Sequence, residues 1–203
     1  MLIYPRNVKM NKTIIDLLRH GEPEGGRMYR GGGTDHVLSE SGWQMMHDSI
    51  DKNRANWSAI VSSPMLRCRE FSEQFATEMK LPLDIKENFK EAGYGAWEGK
   101  TPAEIIEHSE DEYWAFFDDP VNHRPNNAEP LEIFTPRIND VFGEVLEEYD
   151  GKHILLVSHL AVTRAIIGII LGMPLASQQL IDMPFAGMLR IINDRKGLRL
   201  VLL

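Results

Sequence analysis

Short runs rich in aliphatic and β-branched residues alternate along this chain with longer stretches whose apolar positions recur every three or four residues. The runs Thr13–Leu18, Ala59–Ser62, Leu83–Lys86, His153–Ser158, Met188–Ile192 and Leu198–Leu202 read as strands. The periodic stretches Glu40–Asn53, Pro64–Lys80, Thr101–His108, Asp111–Asp118, Leu131–Glu148 and Val162–Leu171 read as helices. Within Pro64–Lys80, Cys68, Phe71, Phe75 and Met79 fall on one helical face. Ser63-Pro64 before it has the form of an N-cap followed by proline at the first helical position. Alternating strands and helices predict an α/β fold, a three-layer α/β/α sandwich around a mostly parallel central sheet. Residues 1–12, with Pro5, Asn7 and Lys9, read as a loose leader ahead of a single domain over 13–203. The irregular stretch Asp118–Glu129, with Pro120 and Pro125, reads as a long loop and makes 101–130 a candidate lid.

Composition narrows the classes open to such a domain. With 203 residues, 43% of them hydrophobic, the chain can bury a sizeable core. A net charge of −8 without a basic run argues against nucleic acid or an anionic membrane as partner. The single cysteine, Cys68, allows no internal disulfide and fits a reducing cytoplasm. The most apolar late stretch, Ala161–Met173, is too short for a bilayer and is interrupted by Thr163 and Arg164.

Candidate chemistry gathers at predicted strand ends. Arg19-His20-Gly21-Glu22 follows the first strand directly, where open α/β sheets bind ligands, and Gly21 permits a sharp exit. His159 ends the strongly apolar strand Ile154–Ser158 in the same way, although a hydrogen-bonded core histidine would look alike. Arg67 sits in the first turn of the Pro64 helix, where a cation opposes the helix dipole unless an anion binds there; a tolerated surface arginine is the alternative. Two arginines and two histidines suit a phosphoryl group. Arginine supplies planar paired donors, and a neutral histidine can attack phosphorus. An acid is needed to protonate the leaving oxygen, and Asp84, Glu87, Glu91 and Glu98 all surround the segment after the third strand. Glu91 precedes the aromatic, glycine-bounded loop Ala92-Gly93-Tyr94-Gly95, which could desolvate a carboxyl and raise its pKa. Gly95–Thr101 ends like a nucleotide-binding P-loop, but its first glycine stands one residue too close and no buried strand precedes it. The seven histidines show no metal-ligand spacing, so neither a metal nor an organic cofactor is called for.

Taken together, these segments resemble the histidine phosphatase superfamily, which includes phosphoglycerate mutases. Leu18-Arg19-His20-Gly21-Glu22 is similar to its signature, Val61–Arg67 to the segment bringing the second phosphate arginine, and Val157-Ser158-His159 to that of the second histidine. Glu91 followed by Gly95-Ala96-Trp97-Glu98-Gly99 is similar to the segment of the proton-donating acid. The resemblance implies that His20 is the phosphorylated nucleophile, that Arg19, Arg67 and His159 hold the phosphoryl group, and that Glu91 is the acid. It implies a phosphatase acting on a small-molecule phosphate ester, with a mutase-type transfer or a non-catalytic binding protein as the alternatives on the same fold. The opening of the chain, with Tyr29-Arg30-Gly31 and Leu38-Ser39, and Leu171-Gly172-Met173-Pro174 later resemble the α-ribazole phosphatases within that superfamily. Arg30, on the glycine-flanked loop from Gly25 to Gly33, is the expected further substrate contact. Trp114, Phe116 and Phe117 could stack on a planar base or simply pack their helix. The chain departs from the family pattern at Pro23, where relatives often carry Thr or Ser, at Leu160-Ala161 in place of glycine, and at Ala128-Glu129-Pro130 in place of Gly-Glu-Ser.

Overall fold

The computed structural model describes residues 11–203; the expected leader lies outside the described residues except for Asn11 and Lys12. In chain order the elements are β1 (Thr13–Arg19), α1 (Glu40–Lys52), β2 (Ala59–Ser62), α2 (Leu66–Met79), β3 (Leu83–Ile85), α3 (Pro102–Asp118), α4 (Leu131–Glu148), β4 (His153–Ser158), α5 (Leu160–Leu171), β5 (Met188–Asp194) and β6 (Gly197–Leu202). Short 3₁₀ turns cover Glu87–Phe89, Gly95–Trp97 and Leu175–Leu180.

Among the described residues the strands form one sheet in the order β3-β2-β4-β1-β5-β6. β1 pairs in parallel with β4, β4 with β2, and β2 with β3, while β5 runs antiparallel to both β1 and β6. Only β5 therefore opposes the rest, as a mostly parallel sheet requires. Strand alternation sends Ile15, Leu17, Val61, Ile154 and Leu156 to one face, where α4 and α5 cover them. Leu18, Ile60, Leu155 and Val157 go to the other face, against Met46 and Ile50 of α1 and Phe71 and Phe75 of α2. The result is the expected α/β/α sandwich, with the central strand β4 buried on both faces. No helix among the described residues is long and apolar enough to cross a membrane.

Two local readings change. α2 begins at Leu66 rather than Pro64, and Ser63 does not cap it. The Leu66 amide is instead met by the Asp35 carboxylate at 2.7 Å, from the loop that precedes α1. Gly21 is required less for its turn than for a close approach, because a Cβ there would lie 2.1 Å from the Gly42 carbonyl oxygen. That contact seats the first turn of α1, capped by Ser39, against the loop leaving β1.

α3 bends at Ser109, where the two expected helices, Thr101–His108 and Asp111–Asp118, meet. With the 3₁₀ turn at Gly95–Trp97 it builds a small separate cluster of Trp97, Ile105, Tyr113 and Phe116. Phe116 packs edge-on against Trp97 with centroids 5.1 Å apart, while Trp114 and Phe117 are exposed. Of the three aromatics, Phe116 thus belongs to helix packing.

Candidate active site

Sheet order explains why residues far apart in sequence meet. β4 lies between β1 and β2, and its register sets Arg19 opposite Ser158 and Ser62 opposite Val157. The next residue out from each strand is then His20, Ser63 or His159, so all three emerge side by side at the carboxyl edge. The two imidazoles cross edge to face at 5.2 Å, and the Ser63 hydroxyl lies 2.6 Å from His159 Nε2.

A backbone hydrogen bond selects the tautomer of the His20 ring. His20 Nδ1 is 2.7 Å from the Gly21 carbonyl oxygen, which can only accept. The neutral ring therefore carries its proton on Nδ1 and leaves the Nε2 lone pair free. Ser63 Oγ accepts from the Met65 amide at 3.3 Å and shares a second hydrogen bond with His159 Nε2. Both His159 nitrogens also lie near the Cys68 sulfur, Nε2 at 3.7 Å and Nδ1 at 3.8 Å. Both rings are buried, and both titrate well below the usual histidine range. Desolvation is the largest cause for each, followed by repulsion from the Arg67 guanidinium.

Arg67 is fully buried and charged, held by the Thr34 carbonyl at 3.0 Å and facing Asp35 at 3.9 Å. Arg19 donates one terminal nitrogen to the Met183 carbonyl. Each guanidinium keeps a buried Nε with no acceptor in the protein. Buried guanidinium donors without acceptors are costly, and an oxyanion between the two arginines supplies both charge and acceptors.

Glu91 follows the 3₁₀ turn at Glu87–Phe89 and is buried. Its carboxylate accepts from the Ala92 amide at 3.0 Å and from the Ala161 amide, at the start of α5, at 3.2 Å. Desolvation nevertheless dominates and raises its pKa above the ordinary glutamate value, against the lowering pull of those amides and of Arg67. Of the four acids near β3, Glu98 is engaged elsewhere: it accepts from Thr34 at 3.0 Å and from the Tyr94 amide at 3.0 Å. It packs where a Cβ on Gly31 would sit, 2.1 Å from Glu98 Oε1, so that glycine serves the docking of its loop against residues 91–98. Beside Glu91 opens a cavity of about 310 Å³, lined among others by Gly33, Lys90, Glu129 and Arg137. Its charged walls answer one another, since Arg137 grips Glu129 with contacts of 2.8 and 3.0 Å.

The structure thus brings His20, His159, Arg19, Arg67 and Glu91 together. Arg30 is near enough to disfavour the His20 cation, yet its three nitrogens turn to its own loop. They reach His36 Nδ1 at 3.1 Å, the Gly26 carbonyl at 2.8 Å and the Glu24 carbonyl. Sequence reasoning missed Ser63 as the partner of His159, Asp35 as the group that seats α2 and Arg67, and Phe185. The Phe185 ring lies over the Arg19 guanidinium, with Cζ 4.3 Å from its centroid. No local signal distinguishes any of the three, because each acts on an element distant in sequence.

Comparisons with known proteins bear on the family and the fold. The sequence is 30% identical over 162 residues to the uncharacterized phosphatase PhoE of Bacillus subtilis, covering 79% of this chain and 78% of that protein. It is 22% identical over 160 residues to the adenosylcobalamin/alpha-ribazole phosphatase of Escherichia coli, covering 78% and 79%. Its fold superposes on Bacillus stearothermophilus YhfR with a TM-score of 0.84 at 24% identity, covering 94% of this chain and 96% of that one. Longer mycobacterial relatives, 28% identical over 159 residues, are matched over only 43% of their length, so the chain spans under half of those proteins. The family model for the histidine phosphatase superfamily (branch 1) matches residues 15–203, nearly the whole described structure. With its paired strand-end histidines and the buried Arg67 inside that match, the chain belongs to the histidine phosphatase superfamily.

Proposed function

We propose that the protein hydrolyses a small phosphomonoester through a phosphohistidine on His20. The observation that carries this reading is the bond from His20 Nδ1 to the Gly21 carbonyl, 2.7 Å, which leaves Nε2 unprotonated near the half-buried Arg19 and the buried Arg67. Nε2 attacks phosphorus while Arg19, Arg67 and His159 hold the equatorial oxygens. The P–O ester bond breaks, and Glu91, in the protonated form that burial favours, gives its proton to the leaving alcohol. The Glu91 carboxylate then takes a proton from the water that attacks the phosphohistidine, and inorganic phosphate departs. An incoming phosphate dianion pushes the Glu91 pKa further up, so substrate binding favours the protonated acid. No cofactor enters the sequence of steps. Arg30 contributes by fixing the loop that holds Arg67, and 101–130 covers the site.

The substrate we favour is α-ribazole 5′-phosphate, with the cytoplasm as the place of action. The resemblance of the opening segment and the relative of that name support this choice, as does the free, buried Cys68 for a reducing compartment. Rapid quenching without acid, using substrate labelled in the phosphoryl group, should trap label on His20; label on another residue overturns the mechanism. Turnover should show a higher kcat/KM for α-ribazole 5′-phosphate than for 3-phosphoglycerate or fructose 2,6-bisphosphate, with no priming bisphosphate. Equal or better turnover of either of those removes the substrate assignment alone.

A further inference from the structure

Phe185 is a half-buried phenylalanine that joins none of the three hydrophobic clusters among the described residues. Its ring packs instead on polar groups of the site. It covers one face of the Arg19 guanidinium at 4.3 Å and lies 5.8 Å from the His20 ring, tilted 40°. The segment carrying it is pinned at both neighbours of the site: Arg19 N–H donates to the Gly187 carbonyl at 3.0 Å, and Ala186 N–H donates to the His20 carbonyl at 3.1 Å. Ala186 holds a left-handed backbone at φ +53°, which side-chain-bearing residues rarely adopt. Local propensity alone would not choose that conformation, and it presents the preceding ring to the site.

We infer that Phe185 is the leaving-group platform of this site: its ring forms an apolar wall for the alcohol of the ester. The class selected is an alcohol with an apolar face next to the ester oxygen, such as a sugar or aryl ring, over one carrying a second charge there. The inference rests on the phosphatase reading and deepens it. A phosphoryl group held by Arg19 and facing His20 lies within reach of a ring that touches both. The first carbons of the alcohol come next outward and meet the exposed part of that ring. A phenylalanine offers them dispersion and C–H contacts but no counter-charge. The clamp on Arg19, ring on one face and the Met183 carbonyl at one nitrogen, leaves the remaining in-plane donors for phosphoryl oxygens.

Two non-hydrolysable probes test this without turnover: phenylphosphonate, which carries an apolar face next to phosphorus, and methylphosphonate, which lacks one. Calorimetric Kd values for wild type should favour phenylphosphonate. In Phe185→Ala that preference should fall about fivefold, and in Phe185→Leu, which keeps bulk without a flat ring, by about half as much on a logarithmic scale. Phe185→Trp should keep it. A preference unchanged in Phe185→Ala overturns the platform. Equal weakening of both probes also overturns it, because the ring would then act only through Arg19. Labelling of His20 is measured separately. Binding with the expected preference but no phosphohistidine rejects the mechanism and leaves the platform; phosphohistidine without the preference does the reverse.

Discussion

Asp16 and His20 lie four residues apart on one strand and its exit, both buried, and their surroundings treat them in opposite ways. Asp16 has both oxygens answered inside the protein. Oδ1 accepts from Arg190 at 2.6 Å, and Oδ2 from His153 at 2.8 Å, Trp57 at 2.9 Å and Arg190 at 3.0 Å. Burial pushes its carboxyl up, and the hydrogen bonds from His153, Arg190 and Trp57 overcome that and hold it below the usual value. Around His20 the protein supplies cations without enough anions: Arg19 and Arg67 each keep a buried Nε with no acceptor, and His20 and His159 are both held neutral. A buried charge kept for structure is matched at home, whereas one kept for chemistry is matched by what binds.

The sharpest way to test that contrast is to remove His20. In His20→Ala, phosphate release should fall to background while the protein stays folded and unfolds cooperatively, since the ring answers no buried charge. A folded variant that still turns over near the wild-type rate would break the comparison at its centre. Glu91→Gln comes next. It should slow esters of poorly acidic alcohols by about 10²–10⁴-fold, yet slow p-nitrophenyl phosphate far less, because that leaving group needs little protonation. Equal losses on both kinds of substrate would make Glu91 a binding or structural group.

Asp16→Ala should reverse the pattern. Removing one partner of a buried ionic group costs about 3–5 kcal/mol, and the lower end applies here because Arg190 and His153 keep side-chain exposures of 26% and 20% and can be partly rehydrated. Urea unfolding should report that loss, while kcat of the folded fraction stays near wild type. A large kcat effect without loss of stability would show that the two regions are coupled.

Titration separates the same regions by pH. His20 and His159 have folded pKa values below the unfolded 6.5, so below that pH the unfolded chain binds protons that the folded one refuses. Their contribution is complete above pH 6.5 and declines as pH falls, by up to about 1.4 kcal/mol per pH unit for each group. Asp16 is also depressed, but from 3.8, so its stabilisation is complete above that pH and declines only below it. Stability measured between pH 7 and pH 5 should therefore fall less steeply in His20→Ala than in wild type, and Asp16→Ala should flatten only the more acid limb. Identical slopes in all three proteins would refute the assignment of the first limb to the site histidines.

The secondary structure was largely legible in the sequence. β4 and α4 match their expected limits, and the other strands and helices agree to within about two residues, because each is encoded by a local period of apolar positions. The residues His20, Arg67 and His159 were legible for a related reason: each directly follows a strand, or opens the helix after one. Ser63 was misread, since its sequence signals an N-cap and its contact with His159 spans 96 positions. Arg30 looked available on a glycine-rich loop, and only the folded loop shows its nitrogens turned to His36, Gly26 and Glu24. Phe185 carried no signal, because the meaning of its ring depends on Arg19, which lies far away in sequence.

The sequence by itself determined the alternation of strand and helix and the kinds of group at the strand ends, because short-range periodicity and turn chemistry need no distant partner. The tertiary structure decided which of those groups meet, which tautomer His20 holds and which charges stay unmatched. That decision lies in strand order and register: β4 enters between β1 and β2, and a slip of one residue would turn His159 to the opposite face, away from His20, Ser63 and Arg67.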